Sequence, residues 1–218
     1  MKRISFFIMF LLAVMQSLMA SCSNEGQFTT DELVLAEPSG KAKTLVAYFS
    51  ATGNTHAVAQ RIAELTEADI YRIEPIRQYA DNPYDDSQFI QNEAYNDLRP
   101  KVANLPTAEE IARYDTIYVG TPLWWHQPAM VVCTFLAAYD MSGKVIVPFV
   151  TYGARTYLNE AMQKMFKCTP NSVHVPEILP EDLAPDNIRE PQDDDEGIEM
   201  PGNAQGVDKW LQRMGLLR

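Results

Sequence analysis

The sequence contains few of the side chains that commonly bind metals. It has only three cysteines and three histidines in 218 residues, no Cys-x-x-Cys pair and no cluster of His and Cys. Structural zinc and iron–sulfur sites need several such ligands at short spacing, so no metal site is predicted. Cys133 lies in an apolar helical pattern, which favours a buried thiol over a disulfide. Whether it pairs with Cys168 stays open.

Basic residues are scarce as well. Lys and Arg number 18 against 29 Asp and Glu, which gives a formal net charge of −11. Loss of residues 1–21 removes Lys2 and Arg3 and makes the charge −13. Binding of a phosphate backbone needs an excess of Lys and Arg, so nucleic acid is not an expected partner. The negative charge favours a basic protein partner, or solubility alone.

Only one long apolar run is present, and it lies at the amino terminus. The basic start Met1-Lys2-Arg3 precedes an almost unbroken apolar stretch from Ile4 to Leu18, and small residues follow. Such a run is short for a spanning helix and is typical of a secretory signal. We therefore interpret residues 1–21 as a signal peptide.

Cys22 stands directly after this segment. Met19-Ala20-Ser21-Cys22 resembles a bacterial lipobox, in which the cysteine is lipidated, although Leu is usual where Met19 stands. An ordinary signal peptide with an incidental Cys22 is the alternative. The lipobox interpretation predicts an exported lipoprotein that faces the periplasm or the cell exterior. Its only membrane contact is a lipid anchor at Cys22, joined to the domain by a flexible tether, residues 22–43.

Residues 44–218 are predicted to form one domain in which strands alternate with helices. Short apolar or β-branched runs indicate strands at 44–49, 70–73, 116–120, 144–150 and 173–175. Helical spacing of apolar residues is found at 54–65, 87–98, 129–139, 157–166 and 207–216. This alternation requires crossover connections and predicts an α/β fold, a mostly parallel sheet with helices on both faces. The acidic, proline-rich segment 180–201 is interpreted as a solvated loop.

The first strand leads into a loop suited to an anion. Its residues are Ser50, Ala51, Thr52, Gly53, Asn54 and Thr55. A helix start offers unpaired N–H groups and a favourable dipole, the hydroxyls add donors, and Gly53 lets the backbone close tightly. Because it has no Lys or Arg, the loop matches a terminal monoester phosphate better than the triphosphate of a P-loop. A hydroxyl-rich helix cap without a ligand is the alternative.

Two further loops are expected at the same edge of the sheet, where ligands bind in open parallel α/β folds. One contains Thr121, Pro122, Leu123, Trp124 and Trp125, and the other Thr151, Tyr152 and Gly153. A flat heteroaromatic ring would cover one of the two indoles; alternatively, both indoles fill the core. Tyr152 would contact the rim of the ring, and N–H groups near Gly153 its carbonyls. A plain turn is the alternative for this last loop.

A few isolated residues receive weaker interpretations. His56 and His126 follow the first two loops, where they would approach a phosphate or a substrate, but with His174 they fit surface or helix-cap roles better. Tyr79 and Tyr84 lie in a long irregular segment and are expected to pack it onto the body rather than to form a lid.

The three loops together resemble the flavodoxin-like family. The resemblance rests on residues 46–55, 120–125 and 148–153, and it extends over residues 43–216. It implies a doubly wound, five-stranded parallel sheet in the order 2-1-3-4-5, with flavin mononucleotide (FMN) at the switch point. It also implies that residues 50–55, 121–125 and 151–153 hold that cofactor.

The resemblance leaves the reaction open. Many electron-carrier flavodoxins have a Gly beside the aromatic residue of the second loop, and Pro122-Leu123-Trp124-Trp125 has none. That loop looks more like those of flavodoxin-like quinone or NAD(P)H oxidoreductases. The implied function is an FMN-binding redox protein that carries electrons or reduces a quinone-type acceptor, with its donor and acceptor unidentified. The alternative is a surface-anchored binding protein that uses the fold without redox activity.

Overall fold

A computed structural model describes residues 43–153, 157–175, 188–189 and 204–217. All of them fall in a unit that begins at Gly40. The predicted signal peptide, the lipidation at Cys22 and the tether, apart from residue 43, lie outside the described residues.

The centre of the fold is a parallel sheet. The strands of the described residues are β1 (Lys43–Tyr48), β2 (Asp69–Arg72), β3 (Tyr114–Trp124), β4 (Gln127–Pro128), β5 (Val145–Tyr152), β6 (Val173–His174) and β7 (Ile188–Arg189). Five of them follow one another across the sheet in the order β2-β1-β3-β5-β6, each parallel to its neighbour. With the hairpin strand β4 set aside, this is the predicted order 2-1-3-4-5. The flavodoxin-like α/β fold class is confirmed.

Helices connect the strands and cover the sheet. They are α1 (Asn54–Thr66), α2 (Ser87–Tyr95), α3 (Ala108–Ala112), α4 (Met130–Ala137), α5 (Leu158–Lys167) and α6 (Ala204–Arg213), with a 3₁₀ turn at Pro83–Asp86. α1 contacts α6, and Arg61 donates two hydrogen bonds to the Asp208 carboxylate across that contact, at 3.1 and 3.2 Å. α4 contacts α5. The central strands β1, β3 and β5 are nearly continuous apolar runs because this packing leaves them little exposure to water.

β3 extends beyond its predicted end at Gly120. Thr121 and Pro122 continue the parallel pairing with β5, and Leu123 and Trp124 then turn to antiparallel pairing with β4. The prediction of a loop is therefore wrong at residues 121–124 and correct at Trp125 and His126, which form the turn. Gly and Pro usually weaken strands, so Gly120 and Pro122 led to a predicted end of β3 that comes too early.

The acidic segment 180–201 contains a short strand. Ile188 and Arg189 form β7, which runs parallel to the carboxyl end of β5, opposite Thr151 and Tyr152. The interpretation of the whole segment as a solvated loop is wrong at these two residues. The remainder of the segment lies outside the described residues.

The two described cysteines are both free thiols. Cys133 is fully buried in α4, and Cys168 is half-buried just after α5. The predicted buried thiol at Cys133 is confirmed.

Candidate cofactor site

The candidate site lies at the carboxyl ends of the neighbouring parallel strands β1 and β3. The chain passes from β1 to β2 on one side and later to β3 on the other, so the crossovers diverge between β1 and β3. This is the topological switch point at which open α/β sheets bind ligands. The first predicted loop follows β1, and the second follows the parallel part of β3.

Gly53 is the residue that precedes α1. Its φ is +95°, and no side-chain hydrogen bond from this position caps the helix. Glycine has no side chain that could form such a cap. The N–H groups of the first helical turn point out of the helix end, together with the positive end of its dipole. An anion is the natural partner for such a group of donors.

Ser50 and Arg72 shape the loop before the helix. Ser50 is buried, and its Oγ accepts a hydrogen bond from the Gly53 N–H at 3.1 Å, which leaves its own hydroxyl hydrogen for an acceptor. Arg72 Nη2 donates to the Ser50 carbonyl at 3.1 Å, while its Nε faces Glu74 at 2.8 Å. The sequence showed no cation in the loop; the structure supplies one from β2. The pairing of Tyr48 with Arg72 across neighbouring strands brings this guanidinium to the site.

His56 is held by the strand beneath it. Its Nδ1 is hydrogen-bonded to the Tyr48 hydroxyl at 2.5 Å, and the two rings lie 5.4 Å apart between centroids. Burial raises the pKa of the Tyr48 hydroxyl, an effect that the positive charge of Arg72 partly opposes. This bond fixes the first turn of α1 to the last residue of β1.

Thr55 and Thr151 connect the first predicted loop to the third. Their hydroxyl oxygens lie 2.8 Å apart, and both side chains are buried. One hydroxyl must donate to the other, so one hydrogen is left for another acceptor. Both residues were predicted to bind the cofactor directly, and the structure places them below the loop surface as a link between β5 and α1.

The second predicted loop is a tight hairpin. Trp125 and His126 occupy the two turn positions between β3 and β4, with φ of +47° and +66°. Two consecutive positive φ values characterise the type I′ turn, which normally carries Asn and Gly. Bulky residues in this backbone conformation carry strain, a feature found more often at functional sites than elsewhere.

The two tryptophans of the hairpin have different surroundings. Trp124 packs edge-on against Phe49 and Tyr79, at 5.4 and 5.1 Å between ring centroids. Trp125 is 37% exposed at the tip, where it touches the exposed ring of Tyr95. Trp124 is therefore partly buried and packs against the core, whereas the indole of Trp125 is exposed.

Thr121 and Tyr152 are placed in the interior rather than at the surface of the site. The Thr121 hydroxyl accepts a hydrogen bond from the Ala129 N–H at 2.9 Å and donates to the Pro122 carbonyl. Tyr152 is the last residue of β5 and belongs to the hydrophobic core. The predicted contact of Tyr152 with the rim of a ring stays a prediction. Gly153 is exposed directly after it, and residues 154–156 lie outside the described residues.

The remaining histidines and tyrosines take structural positions. His174 is stacked on Phe166 at 4.2 Å and is hydrogen-bonded to Thr169. His126 is stacked on Tyr157 at 3.4 Å. Tyr79 packs against the core as expected, whereas Tyr84 is 86% exposed and does not pack the long segment.

Glu93 is the only charged side chain that is buried in the described part of the chain. It accepts a hydrogen bond from the Tyr79 hydroxyl at 2.7 Å. Burial raises the pKa of the Glu93 carboxyl above its usual range, although the hydrogen bond from Tyr79 opposes this effect. The proton is therefore bound more tightly in the folded chain than in the unfolded one.

This carboxyl should make the protein less stable as the pH rises. With a folded pKa above the unfolded one, the stabilisation is complete below the unfolded pKa and is lost as the pH rises through the folded pKa. Glu93→Gln keeps an acceptor for Tyr79 without the titration, so the free energy of unfolding of the wild type should fall relative to this variant between pH 4 and pH 8. Urea unfolding at each pH measures the difference. The same substitution at exposed Glu109 is the control, and an equal pH slope in both variants would contradict the assignment.

The described residues contain neither a metal-binding cluster nor a helix that could span a membrane. No group of three or more His, Cys, Asp or Glu side chains is arranged to hold a metal ion. No helix in this part of the chain is long and apolar enough to cross a membrane.

Comparison with known proteins agrees with this fold. The family model described as flavodoxin matches residues 43–191, and the chain belongs to the flavodoxin family. A candidate flavoprotein from Bacteroides uniformis is 26% identical over 78% of this chain and 98% of its own, with a TM-score of 0.57. A second, from Bacteroides eggerthii, is 23% identical over 80% of this chain and 98% of its own, with a TM-score of 0.56. No curated protein gives a significant match.

Membership of this family confirms FMN as the predicted cofactor. The described residues fit the group. The uncapped helix end after Gly53 suits its monoester phosphate, and the half-exposed indole of Trp125 suits its ring. Which individual side chains contact it stays a prediction.

Proposed function

We propose that this protein is an FMN-dependent redox protein that carries electrons or reduces a quinone-type acceptor. One observation carries the proposal: the α1 amino terminus opens at the switch point with Gly53 in the left-handed conformation and no side-chain cap. A redox role follows from the cofactor, which supplies electron or hydride transfer when bound, while the protein orients it and tunes its potential.

The phosphate is held by neutral donors with a cation behind them. Backbone N–H groups of the first turn of α1 would donate to it, and the hydroxyls of Ser50 and Thr52 would add donors. Arg72 adds a positive charge through its bond to the Ser50 carbonyl, just behind the loop. This arrangement suits a dianionic monoester, because several N–H groups and a helix dipole share the charge.

The ring is held by the hairpin between β3 and β4. Trp125 presents its exposed indole for stacking, and Trp124 supports the hairpin from below through Phe49 and Tyr79. Stacking on the ring would remove both apolar surfaces from water. Backbone N–H groups of the hairpin and of Gly153 would donate to the polar rim.

The two tryptophans are expected to respond differently to replacement. Trp125→Ala should weaken FMN binding by about 1–2 kcal/mol, roughly five- to thirtyfold in Kd, with stability unchanged, because it removes an exposed stacking surface. Trp124→Ala should lower the free energy of unfolding by about 2 kcal/mol, because it leaves a cavity among packed rings. Titration of FMN fluorescence and thermal melting measure the two effects.

Two controls sharpen this comparison. Trp125→Phe keeps an aromatic face and should retain most of the affinity, whereas Tyr84→Ala removes an exposed ring away from the hairpin and should change neither quantity. If Trp125→Ala binds FMN like the wild type, the hairpin is not the ring site.

The first test of the proposal is the colour of the purified protein. Bound FMN should give an absorbance band at ~450 nm. The fluorescence of added FMN should be quenched until one FMN is bound per protein. A colourless protein that ignores added FMN would leave only the binding protein without redox activity. Oxidation of NAD(P)H in the presence of menadione then separates a reductase, which turns over alone, from a carrier, which needs a separate reductase.

We also propose that the protein is exported and lipidated at Cys22. The motif Met19-Ala20-Ser21-Cys22 after an apolar run supports this placement. Cells fed labelled palmitate should incorporate the label into the wild type and not into Cys22→Ser. Equal labelling of both, or labelling of neither, would contradict lipidation.

A further inference from the structure

His56 belongs to the first turn of α1, at the helix end that faces the proposed phosphate position. The first bond of the helix joins the Ala57 N–H to the Gly53 carbonyl at 3.0 Å, so the N–H groups of residues 54–56 precede the helical bonds. Long side chains on a helix lean back towards its amino terminus. The imidazole of His56 is therefore attached to a residue whose own N–H would donate to the phosphate, and it leans towards that anion.

Tyr48 can hold this imidazole in either of its charge states. The Tyr48 hydroxyl and His56 Nδ1 are hydrogen-bonded at 2.5 Å. Burial raises the pKa of Tyr48, so the phenol keeps its proton and can donate it to Nδ1 of a neutral ring. When the ring gains a second proton, Nδ1 becomes the donor and the phenol oxygen the acceptor. Protonation of His56 therefore requires no movement of the ring, which is half-buried and open to water on one side.

The nearest charges oppose an imidazolium while the phosphate position is empty. Arg72 on β2 donates from Nη2 to the Ser50 carbonyl at 3.1 Å, and its positive charge opposes the effect of burial on the pKa of Tyr48. The start of α1 adds the positive end of the helix dipole. Glu74 has the opposite sign, but its carboxylate is already paired with Arg72 Nε at 2.8 Å.

The other elements that contact α1 add little charge near His56. β3, β5 and α6 are these elements. Among the described residues, the carboxyl ends of β3 and β5 contain no acidic or basic side chain, and their titratable group is the buried hydroxyl of Tyr152. α6 brings exposed Lys209 and also Asp208, whose carboxylate accepts two hydrogen bonds from Arg61 further along α1. An anion at the start of α1 would therefore dominate the electrostatics of this imidazole.

We propose that His56 takes up a proton when the monoester phosphate of FMN occupies the start of α1. This inference rests on the proposed position of the phosphate. A phosphate monoester carries two negative charges above its second pKa of about 6, and such a charge favours the protonated form of a neighbouring imidazole. Histidine is the side chain whose charge changes most readily at about this pH. The proton comes from the solvent and returns to it when FMN leaves, so no covalent bond and no electron is involved.

The pH dependence of FMN binding follows from this uptake. A ligand that binds together with a proton binds less tightly as the pH rises. The Kd of FMN should therefore increase roughly fivefold from about pH 6.5 to 8.5, where the phosphate itself is mostly a dianion. Riboflavin has the same ring without the phosphate, and its Kd should stay constant over this range.

Two histidine variants test the assignment by fluorescence titration. His56→Asn keeps an acceptor for the Tyr48 hydroxyl but cannot take up the proton, so the Kd of FMN should change less than about twofold over the same range. His174→Asn is the matched control, because β6 pairs with the amino end of β5, at the opposite edge of the sheet from the site. It should reproduce the pH dependence of the wild type. Circular dichroism confirms that each variant is folded.

Calorimetry in two buffers of different ionisation enthalpy counts the protons directly. At pH 7 the wild type and His174→Asn should take up about half a proton more per FMN than His56→Asn does, and the wild type should show no such excess with riboflavin. Equal uptake in the two variants, or equal uptake of the wild type with FMN and riboflavin, would overturn this inference and leave FMN binding itself intact. If FMN does not bind at any pH, the proposed function fails as well.

Discussion

Gly53→Val should abolish FMN binding, with Kd raised roughly a hundredfold or more, while the domain stays folded. Gly53 has φ of +95°, and a β-branched residue is strongly disfavoured in that conformation. A Cβ placed there meets no atom within 4 Å, so the expected defect comes from the backbone and not from a clash. Relaxation of the strain would turn the N–H groups at the start of α1 away from the phosphate.

Gly143→Val is the matched control. Gly143 also has a positive φ, +74°, and an added Cβ there likewise meets no atom within 4 Å. It lies just before the amino end of β5, at the opposite edge of the sheet. Both variants should lose a similar amount of stability in urea unfolding, and only Gly53→Val should lose FMN. Loss of FMN in both would show that general strain, and not the loop geometry, abolishes binding.

Gly120→Ala should destabilise the protein by about 3 kcal/mol, because it inserts a methyl group into a filled core. A Cβ at Gly120 would lie 2.2 Å from Cζ of the Phe149 ring. Phe149 is buried on β5, directly opposite Gly120 in the register, so the ring has little room to move. The melting temperature should fall by about 10 °C.

A second substitution tests the cause of this loss. Phe149→Leu removes the ring atoms that the new methyl group would meet, so the double variant should be more stable than the sum of the two single losses predicts. Strict additivity would mean that the contact between Gly120 and the ring is not responsible. The folded fraction of each variant should bind FMN with unchanged affinity, because both residues lie within the paired strands and not at the cofactor site.

The alternation of strands with helices and the first loop were predictable from local patterns in the sequence, whereas the strand order 2-1-3-4-5 followed from the resemblance to the flavodoxin-like family. Apolar runs alternate with helical spacing from Thr44 to Leu216, and that alternation leaves few topologies. The loop of residues 50–55 combines a strand end, a helix start and clustered hydroxyls within six positions. These signals lie close together in the chain, so they can be recognised without knowing which residues pack against the loop.

The surroundings of the second loop were not predictable in the same way. Gly120 and Pro122 indicate a break, yet pairing with β5 continues the strand and a type I′ turn follows at Trp125 and His126. Two adjacent indoles look equivalent in sequence. Their difference arises only when Phe49 and Tyr79 come to lie beside Trp124.

Long-range partners explain the other omissions. Arg72 reaches the phosphate loop because β2 lies beside β1, and Thr151 meets Thr55 from 96 positions away. No spacing rule within a single segment indicates such pairs.

The hydroxyl link between Thr55 and Thr151 has a consequence for how a ligand is received. It connects the first turn of α1 to the carboxyl end of β5, so this hydrogen bond holds two of the three segments at the site together. A site assembled before its ligand arrives loses little conformational entropy on binding. Association should therefore be a single fast step, with no slow rearrangement after encounter.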